Sequence, residues 1–341
     1  PDMSGHERLP RDVYVRRRLM AGAIAALLLA GGVGAAVELG RDDAPSDASG
    51  LPSTTSAPLV SASPGTSLAV PGQPPGSSTP ATASTVAGGA PPSSATAVVG
   101  QASLPDVDAR AFAVYDASTD EWLAESGADE ALPVGSVMKL LTAKVVMDAG
   151  DPSKVVTVGD LQMDPMESAI GLYRGEQLGR DVLLRAMLIV SANDAARALA
   201  VDVGGSQDAF VAMMNQTAQS LGLDTTVASN PVGLDSSTAH SSARDMVRLA
   251  DLLMEDETFR ATVARTSARL HGQTFATTND LLTTYPGADG IKTGHTTGAG
   301  YCLVASATRD GRRIIVAVLG APTDGARVAG ASALLDWAFA T

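Results

Sequence analysis

Residues 288–322 of the 341-residue chain read ADGIKTGHTTGAGYCLVASATRDGRRIIVAVLGAP and contain three apolar runs separated by polar or glycine-rich breaks. One break is the pair Asp310-Gly311, which is typical of the tight turn in a β-hairpin. We therefore predict three strands, over ADGIKTG, AGYCLVASATRDG and RRIIVAVLGAP, with the last two joined by this turn.

The sequence on both sides of this stretch predicts a fold with two lobes. Upstream, ARAFAVYDAS and EWLAES predict a hairpin that turns at Ser118 to Asp120. Apolar residues recur three and four apart in VMKLLTAKVVMDAG, RDVLLRAMLIVSANDAARALAVDVG, SQDAFVAMMNQTAQSLG and SARDMVRLADLLM, which predicts helices between Ser136 and about Met254. A last helix covers GARVAGASALLDWAFA. This order predicts an α/β fold: an antiparallel sheet flanked by helices, plus an all-helical lobe, with the active site in the cleft between them.

The N-terminal residues predict a membrane segment. Arg16, Arg17 and Arg18 precede an uncharged apolar run over residues 19–37, so we expect residues 1–18 in the cytoplasm and everything downstream outside it. At ~1.5 Å per residue the run measures about 28 Å, close to the thickness of the bilayer core, which favours a transmembrane signal-anchor at residues 19–38. The alternative is a signal peptide cleaved near Gly34-Ala35-Ala36, which would release the protein to the outside.

A linker is predicted between this segment and the globular part. From Ala48 to Pro105 the chain has no charged and no aromatic residue, and Pro, Ser, Thr, Ala and Gly dominate. Such a composition cannot bury enough apolar surface to offset its ordering entropy, so we assign residues 41–105 to a disordered linker. The catalytic domain is then expected over residues 106–341.

Composition excludes several classes of function. The formal net charge of −13 argues against nucleic-acid binding, because contacts to phosphates need a basic face. The only cysteine, Cys302, lies in an apolar run and is interpreted as a small buried residue. The four histidines, at 6, 240, 271 and 295, form no cluster with metal-ligand spacing, so we expect neither a metal nor another cofactor.

Three short motifs carry the chemistry: Ser136-Val-Met-Lys139, Ser191-Ala-Asn193 and Lys292-Thr293-Gly294. Each is a weak signal alone, but the first opens an apolar helix, the second follows the apolar run AMLIV and the third lies on a predicted strand. At a helix start, residues i and i+3 share a face, so Lys139 can reach the hydroxyl of Ser136. A serine needs a base to become a nucleophile, and a lysine can serve because burial or a second cation lowers its pKa, whereas arginine stays protonated.

In this order the motifs resemble those of the penicillin-recognising serine enzymes, which comprise the penicillin-binding proteins and serine β-lactamases. Within that group the chain is most similar to the D-alanyl-D-alanine carboxypeptidases of low molecular mass. The resemblance extends to NPVGLDSSTAHSSARDM, YPGADGIKTGHTTGAGYCLVASA and LLDWAF, and covers about residues 108–340. It implies the β-lactamase/transpeptidase-like fold. One departure is Met138, where many relatives have threonine, and there we expect a change in packing.

The resemblance also implies roles for individual residues. Ser136 would be the acylated nucleophile, Lys139 its base, and Ser191 the relay of a proton to the leaving amine. Asn193 would hold the peptide of the substrate, and Lys292 and Thr293 its terminal carboxylate. Gly294 would leave the strand open for that peptide. The remaining two roles are an oxyanion hole from the backbone amides of Ser136 and His295, and an arginine for the carboxylate, best matched by Arg327.

The function implied is that of a serine D-Ala-D-Ala carboxypeptidase acting on peptidoglycan stem peptides, with β-lactams as covalent inhibitors. A β-lactamase of class A is disfavoured because no Glu after Lys139 has an Asn four residues later. An inactive wall-binding or β-lactam-sensing domain is disfavoured because Ser136, Lys139, Ser191 and Lys292 are all present. Endopeptidase and transpeptidase activities use the same acyl-enzyme, so the motifs leave both open. The expected location is outside the cytoplasm. It is the membrane if the N-terminal segment is retained, and the cell wall if that segment is cleaved.

Overall fold

A computed structural model of the protein describes residues 103–341. The predicted cytoplasmic segment at 1–18, the membrane segment at 19–38 and all but the last three residues of the predicted linker at 41–105 lie outside the described residues. Within the described part of the chain, no helix combines the length and the apolar character needed to cross a bilayer.

The described residues form nine strands. They are β1 (Ala111–Asp116), β2 (Glu121–Ser126), β3 (Val155–Thr157), β4 (Gln177–Gly179), β5 (Ser267–Leu270), β6 (Gln273–Ala276), β7 (Ala288–Thr296), β8 (Gly300–Arg309) and β9 (Arg312–Ala321). Five of them make one antiparallel sheet in the order β2-β1-β9-β8-β7, which leaves β7 at an edge. The predicted three strands and the N-terminal hairpin are confirmed. Asp310 and Gly311 join β8 to β9 with positive φ angles of 51° and 81°, as a two-residue hairpin turn requires.

Eight helices accompany the strands. They are α1 (Lys139–Asp148), α2 (Arg180–Ile189), α3 (Asn193–Gly204), α4 (Gln207–Ser220), α5 (Ala243–Met254), α6 (Glu257–Val263), α7 (Leu281–Thr284) and α8 (Asp324–Ala340). The segment predicted as one helix from Arg180 to Gly204 is two helices, because the chain breaks at Ser191, whose φ is 63°. The two small hairpins, β3–β4 and β5–β6, and the helix α6 were not predicted.

Side chains of the large sheet alternate between two apolar layers, as the period of two in a strand dictates. In β9, Ile315 and Ala317 pack toward α5 and the helical lobe, whereas Ile314 and Val316 pack against α8. The helical lobe consists of α1 to α4, which contact one another, and α5 lies between this lobe and the sheet. The predicted architecture of a helix-flanked antiparallel sheet plus a helical lobe is thus confirmed.

The lobes meet at the start of α1. A turn of 3-10 helix, Gly135–Met138, precedes α1 and lies against β7 and β8. Because α1 continues into the helical lobe with its apolar residues buried, this turn is fixed to both parts of the protein. Ser136, the second residue of the turn, therefore lies at the boundary between the sheet and the helical lobe.

Candidate active site

Two glycines pack closely against the turn that carries Ser136, one on each side. Gly294 of β7 lies on one side, where an added Cβ atom would come within 2.5 Å of the carbonyl oxygen of Val134. Gly233 lies on the other, where a Cβ would come within 2.0 Å of the carbonyl oxygen of Gly135. Real Cβ atoms do not approach this closely, so both contacts need glycine. The position of the Ser136 hydroxyl is therefore set by backbone packing rather than by a flexible loop.

Lys139 lies one turn after Ser136 and is fully buried. Its Nζ atom is within hydrogen-bond distance of three oxygen atoms: Ser136 Oγ at 2.8 Å, Asn193 Oδ1 at 2.6 Å and the Val232 carbonyl at 2.8 Å. Three oxygen atoms around one buried amine hold the nitrogen in place beside the serine hydroxyl. This geometry fits the expected roles of Lys139 as base and Ser136 as nucleophile.

Burial lowers the pKa of Lys139 well below its ordinary value of 10.5, because a charged amine is poorly solvated there. The nearby charge of Lys292 lowers it further, and Arg197 acts in the same direction. Glu167 opposes these effects by favouring the protonated amine. The net effect is a lowered pKa, and the neutral amine is the form that can accept the proton of Ser136.

The second motif occupies the break between α2 and α3. Ser191 is the residue with positive φ at this break and is 6% exposed, while Asn193 begins α3. Two backbone hydrogen bonds stabilise the break. Asn193 N donates to the Ser168 carbonyl at 2.8 Å, and Thr278 N donates to the Ile189 carbonyl at 3.2 Å. The structure thus brings Ser136, Lys139 and Asn193 into direct contact and places Ser191 two residues before Asn193.

Glu167 and Arg197 extend this cluster, and neither was predicted from the sequence. Asn193 Nδ2 donates to Glu167 Oε2 at 2.7 Å. Arg197 makes a two-pronged ion pair with the same carboxylate, at 2.7 and 2.9 Å. The only available signal was the spacing of Arg197, four residues after Asn193 and so on the same helix face. Glu167 lies in the irregular segment 158–176, where no periodicity pointed to it.

The third motif lies on the edge strand β7. Lys292 is 1% exposed, and its Nζ donates to the Thr293 carbonyl at 2.8 Å. Burial, with a contribution from the charge of Arg327, lowers the pKa of Lys292 to about 7. The Thr293 hydroxyl lies 2.6 Å from that of Thr278. Gly294 meets the serine turn closely, so the structural reason for glycine is this contact and not only an open strand surface.

His295 and Arg327 complete the set of predicted site residues. The His295 side chain is exposed and stacks on Tyr301, with ring centroids 4.1 Å apart. Its backbone amide faces the serine turn, since a Cβ on Gly135 would lie 3.0 Å from His295 N. Arg327 is 7% exposed and donates to the carbonyls of Gly294 and Cys302, both at 3.2 Å. Among the described residues, the buried Nε of Arg327 has no hydrogen-bond partner.

These residues suit acyl transfer through a covalent serine intermediate. A hydroxyl, an amine at 2.8 Å whose pKa is lowered, and a second lysine that acts on this amine are the groups such a reaction needs as nucleophile, base and cation. Within residues 103–341 no group of three or more His, Cys, Asp or Glu side chains is arranged to hold a metal ion. The fold and the arrangement of the candidate site are those of the β-lactamase/transpeptidase type.

Comparison with known proteins identifies the family. The chain belongs to the D-alanyl-D-alanine carboxypeptidase family, whose profile matches residues 98–323. The carboxypeptidase DacC of Escherichia coli is 37% identical over 248 residues, which are 69% of this chain and 62% of that protein. The chain likewise spans 62% of the length of the carboxypeptidase DacF of Bacillus subtilis.

Solved structures agree with the fold. The structure of a Streptomyces DD-transpeptidase matches with a TM-score of 0.66 at 30% identity, covering 70% of this chain and 99% of that one. Penicillin-binding protein D2 from Listeria monocytogenes, in its cefotaxime-bound form, matches with a TM-score of 0.63 at 32% identity, covering 69% and 98%.

Proposed function

We propose that the protein is a serine D,D-carboxypeptidase that removes the terminal D-Ala from peptidoglycan stem peptides and is acylated by β-lactams. The observation that carries the proposal is the fully buried Lys139 amine, 2.8 Å from the Ser136 hydroxyl. Family membership and the cefotaxime-bound relative support the choice of substrate and inhibitor.

In the proposed acylation step, Ser136 Oγ attacks the carbonyl carbon between the two D-Ala residues while Lys139 takes the hydroxyl proton. The backbone amides of Ser136 and His295 stabilise the oxyanion. When the tetrahedral intermediate collapses, the C–N bond breaks and Ser191 passes a proton to the leaving amine. Water then attacks the ester, releases the shortened peptide and restores the Ser136 hydroxyl.

Substrate binding follows from the edge position of β7. A peptide can add to a free strand edge through its backbone, which would present its C-terminus to the third motif. Lys292 and Thr293 would bind the terminal carboxylate, and Arg327 would add a second cation. Asn193 would hold the peptide of the substrate. The unpartnered, buried Nε of Arg327 supports a role in binding an anion.

Intact-mass measurement tests the proposal. After incubation with benzylpenicillin, the wild-type chain is expected to gain the mass of one penicillin, and Ser136→Ala is expected to gain none. Wild type should also release D-Ala from a pentapeptide ending in D-Ala-D-Ala. A wild-type protein that stays unmodified and releases no D-Ala contradicts the proposal. Acylation without D-Ala release would favour a β-lactam sensor, and rapid loss of the adduct would favour a β-lactamase.

Transpeptidation is a second candidate, favoured by the match to nearly the whole of the Streptomyces DD-transpeptidase. The two reactions share the acyl-enzyme and differ in whether water or an amine attacks it. Supplying a D-amino acid or a second stem peptide as acceptor separates them: a transpeptidase forms the new peptide bond at the expense of hydrolysis. Cleavage of a cross-linked dimer would instead indicate a D,D-endopeptidase.

We also propose that the catalytic domain works outside the cytoplasm, tethered to the membrane by residues 19–38 and the linker at 41–105. The proposal is supported by the three arginines before the apolar run and by the uncharged stretch that follows. Protease added to intact cells or spheroplasts should remove the domain and leave a membrane-bound fragment. Recovery of the domain in the culture medium would indicate a cleaved signal peptide instead.

Gly294→Ala is expected to slow acylation because its methyl group must displace the serine turn or β7. The added Cβ would meet the Val134 carbonyl at 2.5 Å and Ser136 N at 3.0 Å. A displacement near 1 Å lowers the rate on the order of 100-fold, and the strain costs about 1–3 kcal/mol of stability. Stopped-flow acylation and urea unfolding measure the two effects.

The matched control for this variant is Gly325→Ala in α8. A Cβ at Gly325 would meet only the Thr323 hydroxyl, at 4.0 Å, so its acylation rate should equal that of the wild type. Wild-type acylation by Gly294→Ala would show that the close contact does not position the nucleophile.

A further inference from the structure

The Asn193 side chain is held from both ends. Its oxygen lies 2.6 Å from Lys139 Nζ and its nitrogen donates to Glu167 at 2.7 Å. If the amide were flipped, its nitrogen would face the lysine and its oxygen would face the carboxylate, and both contacts would be repulsive when these groups are charged. Glu167 therefore determines which end of the amide faces the base. One N–H of Asn193 is used in doing so, which leaves the other for a substrate.

Glu167 is in turn held in its charged form. Burial alone would raise the pKa of Glu167, but hydrogen bonds from Arg197 and Asn193 outweigh burial and lower it. The ion pair with Arg197 is two-pronged, and each side chain is 10% exposed. A shielded, geometrically fixed pair of this kind holds its partners more firmly than an exposed ion pair.

Building on the function proposed above, we infer that Glu167 and Arg197 form a positioning pair for the catalytic lysine. Glu167 orients the Asn193 amide toward Lys139, and Arg197 both holds Glu167 and balances its charge. Neither residue touches the reacting atoms. Their joint effect is to hold the Asn193 amide in the orientation that places its oxygen against the Lys139 amine.

The electrostatic part of this role has a distinctive sign. Three charged groups act on Lys139: Lys292 from β7, Glu167 from the segment 158–176 and Arg197 from α3. Glu167 favours the protonated amine, whereas Arg197 and Lys292 disfavour it. Because Glu167 and Arg197 oppose each other, removal of one exposes the effect of the other. The two single substitutions must therefore move the titration of Lys139 in opposite directions.

The experiment compares Glu167→Gln with Arg197→Gln in the full chain. The chain contains only four lysines, so isotope-labelled lysine side chains give few NMR signals, and the titration of Lys139 can be followed directly. Glu167→Gln is expected to lower the midpoint of this titration and Arg197→Gln to raise it, each by about 0.5–2 pH units. The acid limb of the acylation rate with benzylpenicillin should move with the midpoint.

Three further variants serve as controls. Arg185→Gln, which breaks the ion pair of Arg185 with Asp181 on α2, is the matched control and should shift nothing. Arg197→Lys keeps the charge and should retain the wild-type midpoint, and the double variant should return close to it. If Arg197→Gln does not fold, the Lys139 titration midpoints of Glu167→Gln and Arg197→Lys still test the inference.

Shifts of both single variants in the same direction, or no shift in folded protein, overturn the inference. That result is distinct from failure of the proposed function, which shows as a wild-type chain that is neither acylated nor active on the pentapeptide. The NMR titration reports on the pair in either case, because it does not depend on turnover.

Discussion

Replacing Lys139 with arginine is expected to slow acylation of Ser136 at least ~1,000-fold, even though the substitution keeps a positive charge. A guanidinium stays protonated at any accessible pH and so cannot take the hydroxyl proton. It is also larger than the amine, whose nitrogen already lies within 2.8 Å of three oxygens in a fully buried site. The rate constant for acylation by benzylpenicillin, followed by stopped flow, measures the loss.

Lys144→Arg is the matched control for this substitution. Lys144 lies on the same helix, pairs with Asp148 and has a side chain that reaches solvent. Its replacement should leave acylation unchanged, because its partner is Asp148 at the end of the helix and not the serine. If Lys139→Arg kept a rate within tenfold of the wild type, a different group would have to be the base.

Lys292→Met is expected to lower activity while raising stability. Loss of the cation removes a partner for the terminal carboxylate of the substrate. It also removes a charge that lowers the pKa of Lys139, so the acid limb of the rate profile should move to higher pH. Truncating one member of a buried charge pair costs about 2–5 kcal/mol, which corresponds to a loss of ~30-fold or more in kcat/KM. Release of D-Ala from the pentapeptide measures this effect.

The stability effect depends on pH in a defined way. Lys292 has an ordinary pKa of 10.5 in the unfolded chain, whereas burial and Arg327 lower its pKa to about 7 in the folded protein. Unfolding therefore takes up a proton between these two values, so the lysine destabilises the fold most below pH 7 and not at all above pH 10.5. Met at this position removes the penalty and should add about 1–4 kcal/mol at pH 6 and less at pH 9.

Urea unfolding at the two pH values measures the difference. Lys144→Met serves as the control, since it makes the same substitution at a partly exposed lysine that pairs with Asp148. A Lys292→Met variant that is less stable than the wild type at pH 6 would contradict the prediction. That outcome would mean that the hydrogen bond to the Thr293 carbonyl contributes more than the burial of the amine costs.

The large elements were predictable because their signals are strong and local. β8 and β9 combine long apolar runs with an Asp-Gly turn, and their register follows from that turn. The small hairpins β3–β4 and β5–β6 carry no such signal, because their strands have three or four residues and are largely exposed. Helix α6, at seven residues, is likewise too short for periodicity to be decisive.

The site was predictable to the extent that its residues lie in short motifs. Ser136 and Lys139 are three residues apart, so helix geometry alone brings them together. Glu167 reaches Asn193 only through the fold of an irregular segment, which no spacing rule describes. The break at Ser191 was hidden for a related reason: a serine with positive φ is imposed by tertiary contacts and not by its own preference.

The glycines on either side of the serine turn also restrict how this protein can evolve. A Cβ at Gly233 would meet the Gly135 carbonyl oxygen at 2.0 Å and the Cβ of Met138 at 3.0 Å, so larger residues there, like those at Gly294, would move the Ser136 turn. Substitutions that preserve the geometry of the Ser136 turn should therefore accumulate elsewhere. Met166 and Tyr173, exposed at 92% and 64% on the segment that carries Glu167, are positions where the side chain is mostly surrounded by solvent.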